Sequence, residues 1–323
     1  MVSGKRAWDG LCGKLSKVGK YQSLPEPFFV TEGNTLELKR LAEFVREREC
    51  SRVIGVGGGR AIDLGKVFAT RQRMDFISIP TMLGSDAACS SVAVLYDENN
   101  DFLEYVDEQQ SPEAVFVDLD IIRTTPPRYA AAGLAGGLSV FYEVEEVMAA
   151  KQFRATPTMQ SYYKSVAEWG KGRLLAVSER AIEGFIHLSL NELEEICFCC
   201  LWVAADLFEH VGLSLGHGVY RALRGLGLSK TGGYLHGELV GLGLLCQLDL
   251  CSTHQAEREQ VKRLVRKLLS HADWREAEET VSSRRDEYLK HLSLFEICQK
   301  TTAQVRENDV VTTTLENLIN QRP

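Results

Sequence analysis

The sequence has no run of eighteen apolar residues, and so predicts no membrane-spanning helix. It has no excess of positive charge: 37 lysines and arginines stand against 44 aspartates and glutamates, a net charge of −7. A mildly acidic chain lacks the electrostatic footprint of a nucleic-acid binder. Prolines number only 8, and no repeat or low-complexity tract occurs, which excludes collagen-like, mucin-like and disordered chains. The N-terminus, MVSGKRAWDG, has neither an apolar core nor a small-residue cleavage site. No signal peptide is expected there, and the predicted location is cytoplasmic. The nine cysteines make one C-x-x-C, Cys197 with Cys200, and no second pair at zinc-ribbon distance. Buried, reduced core residues are expected there, with a redox or metal role as the alternative.

What is present is an ordinary globular composition, 45% hydrophobic and 25% charged over 323 residues. At roughly 100–200 residues per domain, two domains are expected. The first part alternates strand and helix signals. Short β-like runs at 28–31, 52–56, 75–79 and 114–117 enclose helical periods at 36–49 and 61–70, and a hairpin pairs 92–96 with 103–106 across Asp97–Asp101. Asn34 and Thr35 are both candidate caps for the first of these helices. Such alternation predicts a parallel sheet with helices on both faces. Thr124-Thr-Pro-Pro127 marks a boundary, and helical periods follow at 130–150, 158–176, 178–187, 190–211, 214–224, 235–251 and 256–272. The predicted fold class is α/β: a Rossmann-like parallel-sheet domain over 1–125, then an all-α domain over 126–323, with a ligand cleft between them.

One turn carries chemistry. Arg52-Val-Ile-Gly-Val56 runs into Gly57-Gly58-Gly59 and out into a helix bearing Asp63 and Lys66. Glycines let the backbone approach a ligand, and a helix N-terminus favours an anion. The turn is neither G-x-G-x-x-G nor a Walker A loop. It reads as a phosphate cradle or as a plain tight turn, and Asp63 and Lys66 also fit a local ion pair.

Gly57-Gly58-Gly59-x3-Asp63-x2-Lys66 resembles the signature of the iron-containing alcohol dehydrogenase and glycerol dehydrogenase superfamily. Pro80-Thr81-Met-Leu-Gly84-Ser85-Asp86-Ala-Ala-Cys89-Ser90-Ser-Val92-Ala-Val-Leu-Tyr96 resembles the next segment of glycerol dehydrogenases, and Asp97–Tyr105 the hairpin after it. Leu138 to Glu143, Gly212 to His217 and Tyr234-Leu-His236-Gly-Glu238 resemble segments of its helical domain. The resemblance implies a nicotinamide dinucleotide, NAD or NADP, with Gly58, Gly59, Arg60, Ala61 and Ile62 at the phosphates. It implies Thr81, Gly84, Ser90, Val92 and Tyr96 along the rest of the cofactor, and Asp86 at the substrate hydroxyls. A carboxylate suits a polyol, although Ser85-Asp86 also reads as a turn cap. It further implies a divalent metal, zinc or iron, on His217, His236 and an aspartate that polarises the substrate oxygen. Each histidine alone also reads as a core residue.

The chain departs from the pattern twice. The family reads G-x-G-D-A-L-S where this chain reads Gly133-Leu-Ala-Gly136-Gly-Leu-Ser139, so Gly136 occupies the third ligand position. At the N-terminus only Lys5–Gly10 is left to form the first strand, with Asp9 read either as the acidic residue at the adenosine ribose or as a turn residue.

The predicted function is an NAD(P)-linked oxidoreductase of the polyol dehydrogenase kind, acting on a small hydroxylated substrate with Asp86, His217 and His236 as catalytic residues. A homo-oligomer is expected, without nucleic-acid or membrane partners. The alternatives are a lyase or cyclase with metal-independent chemistry on the same fold, in which a histidine serves as general acid or base, and a non-catalytic relative.

Overall fold

The computed structural model describes residues 1–18, 24–107, 111–150, 153–228, 233–250, 255–292 and 309–320. The chain divides into two compact units, Met1–Thr125 and Pro126–Pro323.

The first unit is built on a parallel sheet. Its strands are β1 (Val2–Ser3), β2 (Phe28–Phe29), β3 (Arg52–Gly57), β4 (Asp75–Pro80) and, after a hairpin formed by β5 (Val92–Tyr96) and β6 (Phe102–Asp107), β7 (Ala114–Val115). The order is β2-β1-β3-β4-β7, every pair parallel. The last strand is shorter than the predicted 114–117, because Phe116 and Val117 are exposed. Val53 of β3 lies against α3 (Gly59–Gln72) at Gly65, where Ile62, Leu64, Val67 and Phe68 of the helix are buried; Val56 faces the other side of the sheet.

The structure corrects the predicted first strand. Lys5–Gly10 is not a strand but the opening of α1 (Lys5–Val18), and the strand is Val2–Ser3. The cause is helical spacing. Leu11 is buried with Val56 and Ile121, and Trp8 and Leu15 pack on the same cluster. These positions share one face of a helix, whereas on a strand Trp8 would face away from Leu11 and Leu15. Asp9 therefore lies on a helix, where Lys5 donates to it at 2.7 Å.

Between the turns, α2 (Thr35–Arg46) is capped by Asn34, whose side chain accepts from the Glu37 amide at 3.0 Å. Buried Glu37 reaches back and accepts from the amides of Thr31, Glu32 and Gly33. Those bonds hold its carboxyl below the ordinary range, against the upward push of burial, which is the largest single influence.

The second unit is helical. In chain order it contains α4, here Pro127–Ala149, then α5 (Pro157–Ala181), α6 (Leu190–Cys197) and α7 (Ala204–His210), joined by a π-helical turn at Phe198–Val203. It continues with α8 (Leu215–Gly225), α9 (His236–Leu250), α10 (Gln255–Leu268) and shorter C-terminal helices. The predicted helix over 178–187 is not a separate element: α5 runs on to Ala181, and a 3-10 turn covers Phe185–His187. Cys197, Cys199 and Cys200 are buried in the π turn region, and burial pushes the thiols of Cys197 and Cys199 up to about 12. They pack as apolar residues. Among the described residues no single helix is long and apolar enough to cross a membrane.

Candidate functional site

Strand order defines a candidate site in the first unit. The chain steps from β1 outward to β2, then returns past β1 to β3. The carboxyl ends of β1 and β3 therefore flank a topological switch point, where doubly wound sheets take their ligands. At one side β3 ends on Gly57, with φ 146°, a conformation that a residue with a side chain rarely adopts. Gly58 then caps α3. At the other side β1 leads into Gly4, whose amide nitrogen stands 3.7 Å from where a Gly57 Cβ would lie. The turn has an open face: a Cβ on Gly59 would meet only Ser85 Oγ, at 3.8 Å, and one on Gly84 would meet nothing within 4 Å. This is a cradle that a pyrophosphate fits, at the positive end of a helix of fourteen residues.

The other residues of this group fall around the turn. Arg60 is exposed, and its guanidinium donates to the Thr31 carbonyl at 3.3 Å. Ala61 and Ile62 bury their side chains and donate their amides to the Gly58 carbonyl. The Thr81 amide donates to the Gly57 carbonyl at 3.0 Å, which ties β4 to the turn. Lys66 is buried, and its ammonium donates to the carbonyls of Ser90 (2.7 Å) and Val92 (2.9 Å). The motif lysine thus fastens α3 to the start of the hairpin, a role that spacing alone does not reveal. Ser85 caps the short 3-10 turn Asp86–Ala88, accepting from the Ala87 amide, and Asp86 is partly exposed on it. Tyr96, partly exposed at the end of β5, bridges to Asn34.

In the helical unit, α4, α8 and α9 meet through glycines. A Cβ on Gly237 would enter the Ala132 carbonyl, and one on Gly243 the Gly216 carbonyl. This close approach brings His217 and His236 together, with ring centroids 5.4 Å apart. Tyr220 sits edge-on to His236 at 4.5 Å and accepts from the buried Arg224 guanidinium at 3.2 Å.

Glu143, from the middle of α4, organises this cluster. It is fully buried. One oxygen pairs with His217 Nδ1 at 2.7 Å and accepts from Ser139 Oγ at 2.7 Å; the other accepts from the amides of Ser214 (2.8 Å) and His217 (2.9 Å). Burial pushes its carboxyl up, but the charge and bonds of His217 and the Ser139 bond outweigh this and hold it below the ordinary range. For His236, burial is the leading influence, followed by the charges of His217, Arg224 and Arg221; together they lower it to about 3. His236 is thus a neutral imidazole at neutral pH.

Sequence reasoning missed one further pair. Arg128 grips the buried Glu238 through both oxygens, at 2.6 and 2.8 Å, while Glu238 accepts from the Leu235 amide at 2.8 Å. That clamp fixes the turn that presents His236. Its only sequence signal was an apolar helix opening on a lone glutamate.

The residues do not fit the divalent metal that the resemblance implies. Catalytic metal sites of this type keep three protein ligands. Here the third position is Gly136, and both Glu143 oxygens are taken up by four hydrogen bonds. Among the described residues no group of three His, Cys, Asp or Glu stands close enough to hold a metal ion.

Comparison with known proteins places this arrangement. The family profile described as iron-containing alcohol dehydrogenase matches residues 12–126. The glycerol dehydrogenase of Thermotoga maritima is 29% identical over 234 residues, covering 70% of this chain and 62% of that protein. That of Citrobacter freundii is 30% identical over 246 residues, covering 74% and 66%. The chain thus spans about two thirds of the length of these relatives. Among solved structures, a probable glycerol dehydrogenase from Sinorhizobium meliloti superposes with a TM-score of 0.74 at 23% identity, covering 98% of this chain and 89% of the other. An α/β unit with a glycine turn at its switch point, followed by a helical unit with a paired histidine cluster, is the architecture of a dehydrogenase superfamily. The chain belongs to the iron-containing alcohol dehydrogenase and glycerol dehydrogenase superfamily.

Proposed function

We propose that the protein is an NAD(P)-linked oxidoreductase acting on a small hydroxylated substrate. The observation that carries this is the glycine turn at the β1/β3 switch point, with its open face at Gly59 and Gly84. Gly58, Gly59, Arg60, Ala61 and Ile62 hold the phosphates in this reading, and Thr81, Gly84, Ser90, Val92 and Tyr96 hold the rest of the dinucleotide. When bound, the nicotinamide supplies the hydride acceptor or donor. The chain's own groups manage the proton. His217 is held by Glu143 at Nδ1, which leaves Nε2 as its basic nitrogen, suited to take a hydroxyl proton. His236 stays neutral beside it, and Asp86 accepts from substrate hydroxyls. Gly136 favours a second reading, a lyase or cyclase in which the same histidine pair serves as acid and base.

Lys5 supports NADP as the dinucleotide. In this reading the carboxyl end of β1, across the switch point from the glycine turn, faces the adenosine ribose; a carboxylate there selects NAD, and a cation accommodates the 2′-phosphate of NADP. Here that end reads Gly4-Lys5-Arg6. The Lys5 ammonium is exposed, 5.3 Å from the Phe29 ring centroid, and the nearby carboxylate, Asp9, is bonded to it. Titration by fluorescence is expected to show NADPH binding about tenfold tighter than NADH, the worth of one charge-assisted phosphate contact. Lys5→Glu reverses the order. If neither dinucleotide binds, the oxidoreductase reading is wrong.

The protein is also proposed to be a homo-oligomer. Trp169 of α5 lies edge-on to Phe198 at 6.1 Å, both about half exposed, and Trp202 on the same π turn as Phe198 is 56% exposed. An apolar aromatic patch of this kind marks an interface. Sedimentation of Trp202→Glu is expected to show a smaller species than the unaltered chain; an unchanged coefficient would rule out this face.

A further inference from the structure

We infer that this chain works without the divalent metal of its superfamily, and that glycine at position 136 is the change that removed the site. The inference rests on the placement of the helical unit in the family and not on the activity proposed above.

The loss is of a side chain and not of the frame. A Cβ on Gly136 would meet only the Gly237 Cα, at 3.5 Å, an ordinary contact. Position 136 on α4 therefore still faces the first turn of α9, next to His236. His217 and His236 still stand with ring centroids 5.4 Å apart. What is missing is the one anionic ligand atom that α4 would deliver beside His236.

Neither nearby carboxylate substitutes for it. An ionised carboxylate offers about four acceptor sites, and Glu143 fills four with Ser139, Ser214 and two groups of His217. Freeing one of its oxygens would strand a buried amide or the His217 N–H. Glu238 is held at both oxygens by Arg128. A dication held by two imidazoles alone would carry its full charge into a mostly buried site, which is strongly unfavourable without an anionic partner.

Zinc is the probe. Metal content of the purified full chain is measured after dialysis, and zinc affinity by competition with a chromophoric chelator, for the unaltered protein, Gly136→Asp, Gly136→Ala and His236→Ala. The unaltered protein is expected to retain well under one equivalent, with a zinc affinity that His236→Ala does not change. Gly136→Asp is expected to bind one equivalent about 100-fold tighter or more, since a direct ligand outweighs the outer-shell contacts that contribute 10–100-fold. Gly136→Ala, which adds the Cβ without a ligand, is expected to behave like the unaltered chain. A stoichiometric metal in the unaltered protein that His236→Ala releases would overturn the inference, whether or not the aspartate variant folds. So would a folded Gly136→Asp with no gain in affinity. Dinucleotide titration of the same preparations separates the two readings: loss of nucleotide binding sinks the oxidoreductase proposal and leaves the metal result standing.

Discussion

Glu143→Ala is expected to destabilise the protein by about 3–5 kcal/mol, the range for breaking a buried charged pair. The variant strands the amides of Ser214 and His217, the imidazole Nδ1 of His217 and the Ser139 hydroxyl at once. Glu143→Gln keeps the shape and part of the bonding, and is expected to lose about 1–3 kcal/mol. Urea denaturation followed by circular dichroism measures both. The effect also has a pH signature. Glu143 titrates below its usual value in the folded state, so its contribution is complete above the unfolded pKa near 4.5 and is lost as pH falls through the folded one. The gap between the unaltered protein and Glu143→Ala should narrow on acidification below that point. A gap that stays constant from neutral pH into acid would mean that the carboxylate's charge contributes nothing.

Gly237→Ala is expected to cost about 3 kcal/mol, at the upper end of the overpacking range, or to prevent folding. The added methyl would enter the Ala132 carbonyl, which belongs to the backbone of α4 and cannot rotate away. The same change one contact away is expected to do the opposite. Gly136→Ala meets only the Gly237 Cα at ordinary distance, and alanine is about 1 kcal/mol better than glycine inside a helix. Two glycines that touch each other thus have opposite expectations, and thermal melts of the pair discriminate between them. Equal losses at both positions would mean that the helices do not meet through Gly237 as described.

Much of this was legible in the residues, for reasons that differ by element. The glycine turn was visible because only a sharp strand-to-helix turn concentrates three glycines between two apolar periods. The hairpin was visible because Asp97–Asp101 separates two alternating runs, and it forms with Val92 opposite Asp107. The first strand was misplaced because two residues, Val2 and Ser3, are too few to display alternation. The helix that follows was legible in principle: Trp8, Leu11 and Leu15 keep helical spacing, but Gly10 and Gly13 weaken its propensity. The histidines could be named but not Glu143's role. Apart from Ser139, its partners lie more than seventy residues away, and a sequence offers no local pattern for a bond of that span. The cap at Asn34 was one of two candidates until the Glu37 amide singled it out.

Lys66 has a consequence for how a ligand is received. Its ammonium joins the helix behind the proposed phosphate cradle to the carbonyls of Ser90 and Val92, which border the proposed ribose and nicotinamide path. A ligand that spans these segments meets a surface already assembled, and orders little of it on arrival. Binding should then proceed without a folding step, and the heat-capacity change should reflect only the ligand's own buried surface. Lys66 is an internal strut: a cation inside the receiving surface, well away from solvent, ties its two halves together.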